Sequence, residues 1–294
     1  SLRPSCVSGV HALFLQINCY FYRYYDKMKA KNMFKRVYIF LLTVVSSMGF
    51  ATTLSAQDST LVRPQAPDNE QILSDIMNGL SPYYYPSLFM RYMEGDTTLT
   101  MDDYRHLYYG YAWQPEYEPF DKPQAKDDLL RLIAVTKDSL SLENAEKIID
   151  LANEVMKSDP FSPGNLNILV YGYGSIGNKV QEKINYRRLQ MVIKTIQSSG
   201  TGLKEASPWH VLSFSHATDM MAYLNLDYGT RRVVSRTTEY IPLAFRLPGG
   251  VKGYYFNFER MYWHRPDKMP EKESAGWEFN GIPLKKRTLK IKID

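Results

Sequence analysis

The chain has 294 residues, of which 44% are hydrophobic and 23% charged, a balance that allows a sizeable buried core in one or two domains. Its formal charge of +5 is concentrated at the start: seven of the 36 bases and one of the 31 acids precede Val37, leaving 29 bases against 30 acids in the remainder. Without clustered positive charge, nucleic-acid binding loses its main support.

Lys35-Arg36, the apolar run Val37–Val45 and the small residues up to Ser55-Ala56-Gln57 read as a secretory signal peptide. Residues 1–57 are therefore expected to be an upstream extension plus that signal, with Met28 or Met33 as its natural start. The competing reading is an uncleaved anchor, since Val37–Leu54 nearly reaches membrane-spanning length. Both cysteines, Cys6 and Cys19, precede the apolar run. The mature form then offers no disulfide, no thiolate nucleophile and no lipid-accepting thiol, and the expectation is a periplasmic or secreted protein without a membrane span.

After a polar linker, Asp68–Gly79 reads as a helix with Ile72, Ile76 and Met77 inward. Pro86 at a first helical position and Gly95 as a left-handed stop delimit a second helix. Thr100 caps a third, with Asp102 and Asp103 at the positive end of its dipole and Tyr104, Leu107, Tyr108 and Tyr111 on one face. Ala125–Lys137 places Leu129, Leu132, Ile133 and Val135 together. Ser141 caps the next helix, which Asp159-Pro160 stops. Ser162-Pro163 opens another, and Glu182–Gln197 is its partner. Residues 66–200 thus read as antiparallel helical hairpins resembling degenerate tetratricopeptide units, though without a self-match at that repeat's period of about 34 residues.

From Ser207 the hydrophobic period shortens to two. Val211–Ser215, Arg232–Phe245, Tyr254–Phe258 and Thr288–Ile293 read as strands, with Pro248-Gly249-Gly250 as a turn, so residues 205–294 form a small β-rich part and the fold class is α+β.

The blocks YYYPSLFMRYMEGDTTLT, DDYRHLYYGY, DPFSPGNLNIL and GYYFNFER resemble an exported family of Bacteroidota, a domain of unknown function (number 4919), over roughly Pro67 to Pro266. The resemblance implies an aspartate where this chain has Asn257 and an acidic residue where it has Ala217, and it supplies no activity.

Several patterns carry possible chemistry. Gly172-x-Gly174-x-x-Gly177 matches the dinucleotide fingerprint, but it follows a helical period rather than a strand and lacks an acid about 20 residues on, so helix packing is the better reading and no cofactor is expected. His210 and His216, with Asp219 nearby, could face one side of a strand, yet six strand residues separate them by about 20 Å, so no metal is expected. Ser213 or Ser215 with His216 and Asp219 has the letters of a triad without a nucleophile elbow. Asp96, Asp102 and Asp103 lack a calcium-loop pattern and are better explained by capping. His106 and His264 read as partly buried hydrogen-bonding residues. Of 23 tyrosines, 18 lie beyond the leader; core packing with hydroxyls reaching solvent is favoured over a stacking groove.

The expectation from sequence is an exported binding or scaffold protein with a protein or glycan partner in the bacterial envelope. Its candidate binding residues are Arg91, Asp96, Asp103, Arg105, His210 and His216. No catalytic residue is assigned. The competing class is an envelope hydrolase acting on glycan or peptide through His, Asp or Glu residues of the C-terminal part.

Overall fold

A computed structural model describes residues 64–121, 123–136 and 140–264, together with the backbone of 278–279 and 282–283. The leader and the expected strand Thr288–Ile293 lie outside the described residues.

The helices begin where side chains can satisfy their first backbone donors. In α1 (Asn69–Met77) the Asp68 carboxylate accepts from Gln71 N–H. In α2 (Tyr85–Glu94) Pro86 sits in the first turn, and Gly95, at φ 78°, closes the end in the left-handed conformation. In α3 (Met101–Tyr111) Thr100 and Asp103 form a reciprocal capping box. After α4 (Gln124–Thr136), Ser141 caps α5 (Leu142–Ser158), Ser162 caps α6 (Pro163–Ser175) and Asn178 caps α7 (Lys179–Ser198). The glycine-rich match at Gly172 lies inside α6 and its exit, so that segment is helical, and Gly177 ends it at φ 76°.

Successive helices from α4 to α7 pack against one another, and α3 closes onto α1, α2 and α7. The α3–α7 contact is one that a strict nearest-neighbour repeat array lacks. Among the described residues no helix is long and apolar enough to cross a membrane.

The core is organised by α3. Tyr104, Leu107 and Tyr108 are almost wholly buried, and Phe161 packs its ring 5.0 Å from Tyr92, 6.0 Å from Tyr108 and 5.5 Å from Tyr111. Each such ring contributes roughly 1.5–3 kcal/mol by burial. The hydroxyls of Tyr92, Tyr111 and Tyr117 turn inward instead of reaching solvent. Tyr92 donates to Pro160 O at 2.7 Å, Tyr111 to Ser158 O at 2.9 Å and Tyr117 to Leu212 O at 2.6 Å. A buried hydroxyl needs a partner, and here each one binds a backbone carbonyl of another segment.

Two inward assignments fail: Met77 is 70% and Val135 81% exposed. Both lie at a margin of the apolar stripe that stays exposed among the described residues.

Mixed helix and sheet is the outcome, with helices dominating. The C-terminal part contains a four-stranded sheet in the order β1-β4-β3-β2, made of β1 (Trp209–His210), β2 (Arg232–Val233), β3 (Thr238–Pro242) and β4 (Gly253–Asn257). β1 runs parallel to β4, and the other pairs are antiparallel. The strand expected over Val211–Ser215 is not formed. The chain leaves β1 after His210, and Ser213 caps α8 (Phe214–Tyr223), its hydroxyl accepting from His216 N–H. Local capping thus overrides a short apolar alternation. α9 (Glu259–Trp263) follows β4, and β5 (Glu278–Phe279) pairs with β6 (Ile282–Pro283) as a separate two-stranded sheet.

Candidate functional site

A cleft lies where the loop after α3, the start of α4, the end of α5 and the β1–α8 turn meet. Its empty volume is about 540 Å³, counting the space where it opens to solvent. Tyr111 and Tyr117 form part of its wall, Glu118 and Lys126 stand towards the outside, and Asp159, Ser215 and His216 face it from the interior.

Asp159 is there because α5 ends at Asp-Pro: its N–H closes the helix on Val155 O, which leaves the carboxylate projecting beside α8. His216 Nε2 lies 3.1 Å from each Asp159 oxygen, and its Nδ1 lies 2.8 Å from the hydroxyl of Tyr108. Leu212 N–H donates to that same hydroxyl at 3.3 Å. Nε2–H donates to Asp159 whether the ring is neutral or charged, while Nδ1 accepts from Tyr108 O–H in the neutral ring and donates to the hydroxyl oxygen in the charged one. Both ring nitrogens are therefore committed inside the protein. Burial pushes the Asp159 carboxyl up, but the charge and hydrogen bond of His216, with help from Lys126 and Phe161 N–H, outweigh it and hold it below its ordinary value.

The triad letters do not assemble. Ser213 and Ser215 hydroxyls pair with each other at 2.8 Å, and Asp219 turns away to accept from Gly164 N–H at 2.8 Å. Burial pushes Asp219 up to about 6, against the pull of His216 and of that N–H. His210 and His216 fall in different elements. His210 lies in β1 with its N–H on Ser199 Oγ, and burial, then the Arg105 charge, lower its imidazole to about 4. Among the described residues no three His, Cys, Asp or Glu side chains converge as a metal site.

The remaining candidates do not converge either. Arg91 Nε binds Asp96 Oδ2 at 2.8 Å, and Asp96 also accepts from the hydroxyl and N–H of Thr98, which together lower it to about 2. This ion pair fixes the α2–α3 turn. Asp103 is spent on its own helix cap. Arg105 spans to Ser198 Oγ at 2.8 Å and Gln65 O at 3.1 Å, tying the start of the described chain to the end of α7. Of the six candidate residues, only His216 reaches the cleft. His106, paired with Asp75 at 3.1 Å, and His264, whose Nε2 meets Ala112 O at 3.2 Å, are hydrogen-bonded as expected. The sequence reading passed over Asp159, Tyr117 and Lys126 as site residues. An Asp-Pro helix stop carries no signal of a site, because its partner His216 is 57 residues away.

A family model described as a domain of unknown function, DUF4919, matches residues 70–265. No curated protein and no solved structure matches the chain.

Proposed function

The chain belongs to the DUF4919 family, and from the geometry of its cleft we propose that it is an exported, non-catalytic binding or scaffold protein of the bacterial envelope. The observation that carries this reading is the commitment of His216. With Nδ1 on Tyr108 and Nε2 on Asp159, the imidazole presents no free nitrogen to the cleft, and the two serines there are held by one another. A hydrolase would need a base within hydrogen-bond reach of a nucleophile or of water. What the cleft does present is an aromatic wall, hydroxyls and a carboxylate, the make-up of a site that orients a polar ligand against apolar surface. Export is supported by the basic start, apolar run and small residues of the leader.

The test is capture from an envelope extract with the mature protein and a variant carrying Glu118→Lys, an exposed rim change that leaves the core untouched. A ligand or partner retained by the wild type and lost by the variant supports the cleft as the seat. Turnover of glycan or peptide substrates that disappears in His216→Gln would replace this reading with the hydrolase.

A further inference from the structure

A second, shallower pocket, open to solvent, lies on the other side of Leu212. Asn69, His210, Asn257, Glu259 and Arg260 line it. Arg260 is only 9% exposed, and its guanidinium carbon lies 4.3 Å from the ring centre of Trp113 and 4.7 Å from that of Trp263. Two indoles thus pack against the cation and hold it in place. Its Nε donates to Asn69 Oδ1 at 3.3 Å, and neither terminal nitrogen has a hydrogen-bond partner among the described residues. The His210 ring has none either. Asn257, in contrast, is committed: its Nδ2 donates to Thr237 Oγ1 and its Oδ1 accepts from Glu259 N–H.

The terminal nitrogens of Arg260 reach solvent and meet no anion among the described residues, so the fork is open to a ligand from outside. Burial lowers Arg260, with Glu259 and Tyr117 acting in the opposite direction. The paired terminal N–H groups of such a fork match the two oxygens of a planar carboxylate. Glu259 on the same wall disfavours a dianion, so a single negative charge fits better than phosphate.

We propose that this cavity is a carboxylate-binding site, in which Arg260, clamped by Trp113 and Trp263, takes both oxygens of a small acid or a peptide C-terminus and His210 adds a further hydrogen bond. It is independent of the larger cleft and of the ligand that the cleft takes.

The experiment titrates the full-length protein with N-acetylglycine, N-acetylglycinamide, acetate and inorganic phosphate at constant ionic strength, following tryptophan emission, which Trp113 and Trp263 report directly. The expected result is a saturable change with N-acetylglycine, none with the amide, and affinity weakened at least about tenfold in Arg260→Lys, which keeps the charge but loses the fork. Acetate binding as tightly as N-acetylglycine makes a free small acid the source; a clear preference for N-acetylglycine makes it a peptide C-terminus. Should Arg260→Lys not fold, His210→Phe takes its place and is expected to weaken the same response. No saturable response, an equal response to the amide, tighter binding of phosphate, or unchanged affinity in the folded variant each overturns the proposal.

Discussion

The hydroxyl of Tyr108 lies 2.8 Å from Nδ1 of His216, and through this contact the middle of α3 is tied to α8, 108 residues away. Asp159 extends the chain of hydrogen bonds to the end of α5. Tyr108→Phe keeps the ring in the core but leaves His216 Nδ1 and Leu212 N–H without their partner. A loss of about 1–3 kcal/mol is expected in urea unfolding. Combined with Asp159→Asn, the two changes should be non-additive by at least about 0.5 kcal/mol, since they act on one network.

Arg91 and Tyr108 should behave differently on truncation. Arg91 is 40% exposed at the α2–α3 turn, so Arg91→Ala should leave the melting temperature nearly unchanged. Tyr108→Ala opens a cavity beside Phe161 and His216 and should cost about 3–5 kcal/mol. Thermal unfolding of the two variants side by side decides it; equal losses would make the turn pair as essential as the core.

Two carboxylates give the stability opposite pH dependences. Asp219 has a folded value of about 6, above the ordinary 3.8, so its contribution is fully present below about pH 4 and is lost as pH rises through about 6. Asp159, held low, contributes above its ordinary value and loses that contribution as pH falls through the depressed one. Asp219→Asn keeps an acceptor for Gly164 N–H and removes the buried charge. The variant should therefore gain up to about 3 kcal/mol over the wild type at pH 7.5 and little at pH 4, measured by denaturant titration at both values.

Two glycines of the fingerprint match, Gly172 and Gly174, should differ according to packing. A Cβ at Gly172 would stand 2.8 Å from Ile149 Cγ1, so Gly172→Ala should force α5 and α6 apart and destabilise the protein. At Gly174 the nearest atoms belong to the Glu182 carboxylate, 3.3 Å away and able to move, so Gly174→Ala should be neutral or gain up to about 1 kcal/mol of helix propensity. Micromolar NAD binding abolished by Gly174→Val in calorimetry would contradict this structural role.

Intact-mass analysis of the exported protein should find its first residue near Ala56 or Gln57, after the small residues that follow the apolar run. A soluble chain still beginning before Val37 would sink the signal-peptide reading.

The sequence by itself determined the parts that local physics controls. Thr100, Ser141 and Ser162 cap helices because a side-chain oxygen three residues from an unpaired N–H needs no tertiary context, and Gly95 ends α2 because the left-handed conformation favours a residue without Cβ. The aromatic face of α3 was legible from its period of 3.6. Tertiary structure decided the rest. Val211–Ser215 alternates like a strand, but the serine that could occupy one strand face instead caps α8, so His216 is carried into the core and away from His210. The cleft depends on Tyr108, Asp159 and His216 meeting from three elements, and the second cavity on Trp113, just after α3, reaching Arg260 and Trp263 of α9. Arg260 and Trp263 stand one turn apart in α9, but Trp113 and the three groups of the cleft come from segments far apart in sequence. Local spacing therefore carries no trace of them, and only the packing of α3, α5 and the sheet brings them into contact.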